Sequence, residues 1–493
     1  MSDTVNTHST EGGHEHRLRG GVLGLFDSVI MGIAGSAPAY SIAGTTTILF
    51  GAVAFGGPAA LLYCGIPMFG IVFAFSYLSR HDQSAGASYA WVRRAMHPIL
   101  GYLSGWALFV SALIFMVVAT FPAGSSVLSL FSDSLANSQG WVTIFGCIFF
   151  LLMVGAVAAG VTVTVKVQII MSCVEIFFLV LFAALAIFNT PHVTNFQWSW
   201  FSPSIFHAEG SSGFDMAIFA NGALTAAFYY WGWDVTANLN EETKDAHKTS
   251  GLGGILGAII VFLLFEVFTI ASNMVLTPAQ LTDEANSADI LQVLGQAVWH
   301  GWGGKLIVVS VLLSTVATLE TTLIQVTRTL FVMGRDHTLP KALGTVHKDR
   351  KSPFVATLAI AVLSVALFVG SYYVGSIYNI LQDGIAAIGL QICFYYALAG
   401  LSVVILYRRH IFKSVKNFIF IGLWPLVGAL FMGYIFFKVI PGLKSIQLTV
   451  GLGAMALGLI PMCYYWFVVK APYFKMAAKE DRHVIIEELE QNL

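Results

Sequence analysis

The side chains most able to do chemistry are five carboxylates set inside long apolar runs: Glu175, Asp234, Glu266, Glu320 and Asp383. A charge in hydrocarbon is costly, so such an acid is expected to face protein or a wet cavity, and it reads first as functional. Left unpaired, it holds either a proton or a cation. Basic partners are scarce in these runs, and Lys166 and Arg328 stand near run ends, where their stems can snorkel to the interface. If two or three of the acids converge, the place where they meet favours an ammonium group. Asp234 carries the strongest signal, because it closes Phe228-Tyr229-Tyr230-Trp231-Gly232-Trp233-Asp234, where one glycine stands among bulky rings. Gly232 makes it cheap to unwind a turn. Unwound backbone at membrane depth lines a cavity or is packed in protein. Tyr229, Tyr230, Trp231 and Trp233 add the option of cation–π attraction.

The other acids read less sharply. Glu175 suits either proton coupling or a hydrogen bond between helices; Glu320 suits the site or a bond to a neighbouring helix. Glu266 reads as structural, and Asp383 as solvated in an external vestibule. Glu241 and Glu242 begin a polar loop, either solvated or in an inner gate with Lys244. The hydroxyls Ser314, Thr315 and Thr318 either help hold sodium or bond back to their own helix. A second interruption lies far upstream, in Gly32-Ile33-Ala34-Gly35-Ser36-Ala37-Pro38-Ala39-Tyr40. A proline in mid-run behind two glycines opens the helical ladder around Gly35 to Pro38. Freed amides and carbonyls there need partners, and half-helix ends aim their dipoles at whatever supplies them.

The elements that position these residues follow from composition. The chain has 493 residues, 57% hydrophobic and 10% charged, which marks an integral membrane protein. Twelve apolar runs are long enough to span, near 22–50, 55–79, 98–131, 141–160, 163–189, 213–240, 249–276, 305–334, 353–371, 376–407, 415–439 and 446–470. Basic residues occupy alternate connections, from Arg17 and Arg19 through Arg80, Arg93 and Arg94 to Lys470 and Lys475. By the positive-inside rule both termini are cytoplasmic. Residues 1–20 read as a disordered cytoplasmic tail, in which His14 and His16 are solvated rather than metal ligands, and residues 471–493 as a second tail. The five cysteines sit in apolar runs without a C-x-x-C pair, against disulfide, zinc or redox chemistry. Glycine clusters at 251–257 and 451–453 lie inside spans and read as close helix packing. No phosphate loop, H-E-x-x-H or G-x-S-x-G occurs, and no nucleophile–base pair is visible. The chain reads as no enzyme, without cofactor, metal or nucleic acid.

The interrupted runs are the first and the sixth, the spacing that two inverted five-helix repeats give. Three stretches make the sequence resemble the amino acid–polyamine–organocation superfamily of permeases. They are Gly86-Ala87-Ser88-Tyr89-Ala90-Trp91-Val92-Arg93-Arg94 leading to Gly101-Tyr102-Leu103-Ser104-Gly105-Trp106; Trp233-Asp234 before Glu241-Glu242-Thr243-Lys244; and Thr327-Arg328-Thr329-Leu330-Phe331-Val332-Met333-Gly334-Arg335-Asp336, followed by Leu339-Pro340-Lys341 and Ser352-Pro353. The resemblance implies an all-α integral membrane protein of twelve transmembrane helices, a leucine-transporter-like inverted five-plus-five repeat with two extra C-terminal helices. The repeats are 21–190 and 213–407, with the extra helices in 408–470. It also implies alternating access around a site between the first, third, sixth, eighth and tenth helices.

Departures from the family pattern bear on substrate. Where many relatives have Gly-Ser-Gly, with bare amides for a substrate carboxylate, this chain has Gly35-Ser36-Ala37-Pro38, and Pro38 has no amide. Glu175 falls where several relatives place a lysine in the fifth helix, and Glu320 where asparagine is more usual. The resulting expectation is a secondary transporter of amino acids or related amines, with a polyamine or cationic amine preferred. A proton, or else sodium, is the coupling ion. The site is expected to comprise Gly35, Ser36, Ala37, Tyr40, Tyr230, Trp231, Trp233 and Asp234, with Glu175 and Glu320 in coupling. The alternatives are an exchanger of neutral amino acids and a potassium-type cation uptake protein. Its setting is the cell membrane, as a multi-pass monomer or homodimer in the lipid bilayer.

Overall fold

Backbone amides and carbonyls find no water in hydrocarbon, so an apolar chain crossing it bonds to itself, and the helix is the local way to do so. The structure, a computed structural model, describes residues 18–208, 213–283, 286, 290–373 and 375–475. The expected tails fall mostly outside these: residues 1–17, with His14 and His16, and residues 476–493. Among the described residues the chain is helical with no strand, and a single bridge pairs Leu23 with Thr243.

Helices α1 (Leu25–Ser36), α2 (Pro38–Val53) and α3 (Gly57–His81) come first. A short α4 (Ser88–Ala95), α5 (Pro98–Ser129), a one-turn α6 (Asp133–Ala136), α7 (Gln139–Ala159) and α8 (Val161–Phe188) follow. Then run α9 (Met216–Tyr229), the one-turn α10 (Val235–Asn238), α11 (Ala246–Val275), the short α12 (Pro278–Thr282) and α13 (Ile290–Val298), α14 (Gly303–Arg335), α15 (Phe354–Ser371) and α16 (Ile377–Leu406). Two further apolar runs, Val415–Gly442 and Ser445–Val468, close the bundle. Among the described residues ten runs are long and apolar enough to cross a membrane, which makes this a multi-pass membrane protein. One of them, Leu25–His81, has 57 residues, and at about 1.5 Å per residue it far exceeds a hydrocarbon core of roughly 30 Å. It is divided at Ala37 and again at Ala54–Gly56.

Burial sorts the helices. In the most apolar windows of α5 and α14, 78% of residues lie inside the protein, against 33% for α7 and α15 and 28% for the last run. The first pair forms the centre and the others face outward. Helix α3 packs on α11, α5 on α14 and α16, and α1 on α11. One end of the bundle, the basic end, gathers Arg80, Arg94, Arg335 and Arg408. There Asp82, at the end of α3, meets Arg94 at 2.9 Å, and the Tyr407 hydroxyl donates to Tyr77 O at 3.0 Å.

Both expected interruptions are present. Ala37 sits in the left-handed region (φ 45°, ψ 71°) and its N–H still donates to Ile33 O, so α1 ends there. Pro38 then opens α2 at the first helical position, where its missing N–H would have had no helical partner anyway. The second break lies between α9 and α10, with Gly232 at φ 105°. The two breaks touch through bare backbone. A Cβ built on Gly35 collides with the Gly232 carbonyl, and one built on Gly232 collides with the Gly35 carbonyl. Glycine is therefore required at both positions by packing, and at Gly232 by conformation as well.

This contact generates a stability prediction. Gly232→Ala, and separately Gly35→Ala, should destabilise the protein by about 2 kcal/mol or more, from overpacking and, at residue 232, a left-handed alanine. Gly433→Ala is the comparison, because nothing lies within 4 Å of its Cβ position. The thermal midpoint of purified protein in detergent should fall for the first two and hold or rise for the third.

Candidate functional site

The first turn of a helix has amides without helical partners and a positive dipole end. In α2 these donors are served from other helices. The Ala39 N–H donates to Glu175 Oε1 at 2.9 Å and the Tyr40 N–H to Ser314 Oγ at 3.1 Å. Ser314 in turn donates to the same Glu175 oxygen at 2.6 Å. On the other side of the gap, Thr318 Oγ1 donates to Gly35 O at 2.9 Å. Helices α8 and α14 thus hold both cut ends of the first broken span. Glu175 is fully buried, and its Oε2 has no hydrogen-bond partner.

At the second break the acid is held differently. Trp231 Nε1 donates to the Tyr395 hydroxyl at 2.6 Å, and Tyr395 donates to Asp234 Oδ2 at 2.9 Å. Asp234 is 1% exposed; its Oδ1 makes no hydrogen bond of normal geometry, although Gln325 and the Tyr396 hydroxyl face the carboxylate. The indole of Trp231 meets Phe115 edge-on with centroids 5.3 Å apart, and Phe115 meets Tyr40 edge-on at 5.6 Å. Tyr40, Phe115, Trp231 and Tyr395 therefore form an aromatic wall that links the two breaks above one carboxylate. A site of this kind suits a cation: rings offer their faces, and the acid offers a spare oxygen.

The expected residues do not all converge. Tyr230 turns away, donating to Leu61 O at 3.1 Å and stacking on Phe262. Tyr229 pairs with Thr46 Oγ1 at 3.0 Å, and Trp233 packs on Phe75 and Tyr396. Ser36 bonds back to Gly32 O, and Thr315 to Val311 O. Gly35 and Ala37 contribute backbone only. Glu320 lies between α8 and α14, accepting from Gln168 Nε2 at 2.5 Å, apart from Glu175. Glu266 is buried on α11 with neither oxygen bonded. Asp383 accepts from Gln447 Nε2 at 2.9 Å and lies 4.0 Å from Lys444 Nζ, at the end opposite the basic one.

Sequence reasoning missed Phe115 and Tyr395. For Tyr395 a signal existed, since a tyrosine inside a span needs a partner for its hydroxyl. For Phe115 none did, because a phenylalanine in an apolar run is unexceptional.

The basic end is closed by ion pairs. Arg328 Nε and Nη2 donate to Glu242 Oε2 and Oε1 at 2.9 and 3.0 Å, a bidentate pair with both side chains 1% exposed. The expectation that Arg328 snorkels is corrected, because a buried carboxylate satisfies it in place. Arg335 pairs with Glu241 at 2.9 Å, and Glu241 also accepts from Ala85 N–H at 3.1 Å. The acids thus pair with arginines of α14, while Lys244 gives its backbone N–H to Leu23 O. On the opposite side a cavity of about 350 Å³ opens between α2, α9 and α16, lined in part by Thr47, Asn221, Thr225 and Gln382.

A sequence profile of the family described as amino acid permease matches residues 23–461. The branched-chain amino acid permease BcaP of Bacillus subtilis is 26% identical over 321 residues, 63% of each chain and so less than two thirds of that protein's length. The methylthioribose transporter of the same bacterium is 22% identical over 83% of this chain and 86% of its own. The low-affinity putrescine importer PlaP of Escherichia coli K12 is 23% identical over 89% of this chain and 92% of its own.

The Glu175 contacts make a testable distinction. Glu175→Gln keeps an acceptor for Ala39 and Ser314, so its thermal midpoint should stay near that of the wild type. Glu175→Ala strands those donors and should lose about 1–3 kcal/mol. Equal midpoints for the two variants would contradict the capping role.

Proposed function

The chain belongs to the amino acid permease family, a family of transporters and not of enzymes, and we propose that it is a secondary active transporter of a small amine. The observation that carries this reading is the unequal state of the two breaks. At the first, the Ala37, Ala39 and Tyr40 amides are engaged by Ile33 O, Glu175 and Ser314. A substrate carboxylate would have to displace them. At the second, Asp234 keeps a buried oxygen without a well-formed hydrogen bond, beside Trp231 and Tyr395 and faced only by the neutral groups of Gln325 and Tyr396. A site that opposes a carboxylate and welcomes an ammonium suits an amine, and a long-chain diamine places its second cation away from the first. The relative named as a putrescine importer supports the same class. A neutral amino acid is the second reading, supported by the relative named as a branched-chain permease.

In this account the chain crosses the membrane twelve times. Leu25–His81 makes two crossings, one broken between α1 and α2 and one through α3, and α9 with α10 adds the broken sixth. Residues 21–190 and 213–407 form inverted repeats, 408–470 the two extra helices, and the basic end and both tails face the cytoplasm. Substrate arrives by the cavity between α2, α9 and α16, while the Arg328–Glu242 pair keeps the cytoplasmic side shut. Tyr40, Trp231 and Asp234 bound the substrate, with the Gly35 and Ala37 backbone at the first break, while Ser36, Tyr230 and Trp233 stand behind as packing. A proton on Glu175 couples the movement of α1 and α2 to uptake, because neutralising the acid weakens its hold on the α2 amides. Sodium at the same gap is the alternative coupling ion.

The test is uptake into proteoliposomes with an alkaline interior, comparing radiolabelled putrescine, leucine and histidine. Putrescine uptake should saturate and respond to the pH gradient. In Asp234→Asn it should fall roughly ten- to a hundredfold, the worth of one charge-assisted hydrogen bond of about 1.5–3 kcal/mol. Leucine uptake without putrescine uptake would overturn the amine reading, and currents that follow a potassium gradient without organic substrate would overturn the transporter reading.

A further inference from the structure

Helix α8 carries a buried polar stripe that the substrate site does not use. Thr164, Gln168, Ser172 and Glu175 recur at intervals of four, four and three residues, and all four are fully buried. That spacing puts them on one face, each about one turn, or roughly 5 Å of rise, from the next. The face is turned to α14. Gln168 Nε2 donates to Ala317 O at 2.9 Å and to Glu320 Oε2, and Ser310 Oγ donates to Glu175 O at 3.3 Å. Along this seam Glu175 Oε2, Ser172 Oγ, Gln168 Oε1 and Glu320 Oε1 are buried without a hydrogen-bond partner. At its lower end Thr164 bonds to Ala156 O and Gly160 O, where α7 turns into α8 at the basic end. The Arg350 guanidinium reaches Ala158 O there at 3.1 Å, at an exposed position.

We propose that this seam is a proton path, with Glu320 as the carrier between Glu175 and the basic end, and that it is separate from the route taken by substrate. The inference rests on the proton-coupled reading above. Four buried polar atoms with spare hydrogen-bonding capacity in a row are costly unless water or a shared proton satisfies them. Two carboxylates two turns apart, with a hydroxyl between, can pass a proton. The O–H bond of protonated Glu175 breaks; the proton moves through the Ser172 hydroxyl and intervening water, each gaining one proton and giving up another. It forms an O–H bond on Glu320 Oε1. Gln168 holds Oε2 and the Thr164 hydroxyl faces the same carboxylate, which leaves Oε1, without a well-formed hydrogen bond, to receive it. Glu320 then gives its proton to water at the basic end, and the net change is one proton moved.

The neighbours leave this pair without competing charge. Helices α2, α5, α7, α10, α13 and α15, packed on α8 or α14, contain no Asp, Glu, His, Lys or Arg. Asp27 of α1 caps its own helix through Gly24 N–H. On α11, His247 and Lys248 lie in the first turn and Glu266 lies beside Tyr230. On α14, Lys305 is in the first turn at the far end, Arg328 is held by Glu242, and Arg335 by Glu241. Lys341 follows α14 at the basic end, and Lys166 of α8 points outward.

The experiment uses full-length protein in proteoliposomes with a pH-sensitive dye inside and putrescine outside. Wild type should acidify the interior as putrescine enters. Glu320→Gln keeps an acceptor for Gln168 and should slow that acidification on the order of a hundredfold. Its exchange of labelled for unlabelled putrescine at equal pH, which moves no net proton, should be unchanged. Ser172→Ala should show the same split, and it decides the matter if Glu320→Gln does not reach the membrane. Acidification at the wild-type rate in these variants overturns the path, and so does loss of exchange together with acidification, which marks a structural role. Putrescine entry into wild-type vesicles without acidification overturns the proton-coupled reading itself, and the inference with it.

Discussion

A main chain that leaves the helical path inside hydrocarbon must find partners for the groups it frees, and this molecule does so twice at one place. The two breaks lie back to back, with Gly35 and Gly232 in contact through backbone alone. Everything near them follows from that closeness. A side chain at either glycine would push the breaks apart. The amides of α2 then turn outward from the contact, toward α8 and α14, where Glu175 and Ser314 meet them. Asp234 follows two residues after the second glycine and is held from α16 by Tyr395.

The two acids at the breaks consequently have different chemistry. Glu175 sits at the positive end of a sixteen-residue half-helix and accepts from a backbone amide and a hydroxyl. Its charge is tied to how α2 is held, so under the proposed coupling a change in its protonation would act on that helix. Asp234 lies against rings and is faced by the Tyr395 and Tyr396 hydroxyls and by Gln325, with one oxygen lacking a hydrogen bond of normal geometry, which suits recognition. The buried Arg328–Glu242 pair makes a third contribution. An ion pair taken out of water is weak evidence for stability but a good latch, because hydration favours its separated state and burial its closed one.

Much of this was legible in the sequence, and the reason is locality. Long apolar runs, alternating basic connections, a proline behind glycines and Trp-Gly-Trp-Asp are all signals carried within a few residues. The breaks fell within the stretches that those residues marked. What was not legible depends on distance along the chain. Glu175 and Ala39 are 136 residues apart, and Asp234 and Tyr395 are 161 apart. Tyr230 shows the limit from the other side: next to Trp231 in sequence, it faces α3 because one step along the chain turns a side chain to another face. Arg328 was expected at the interface because a partner from another helix is invisible in one run of residues. Helix α13 was not anticipated at all, its nine residues being too short to register as a span.

The central claim is that an amine binds at the second break through Asp234. Its most direct test is the thermal midpoint of the purified protein in detergent with increasing putrescine or leucine, for wild type and Asp234→Asn. A ligand that binds only the folded state raises the midpoint by mass action. A saturable rise is expected with putrescine in wild type, with none in the variant and none with leucine. A rise with leucine alone, or an equal putrescine response in both proteins, would contradict it.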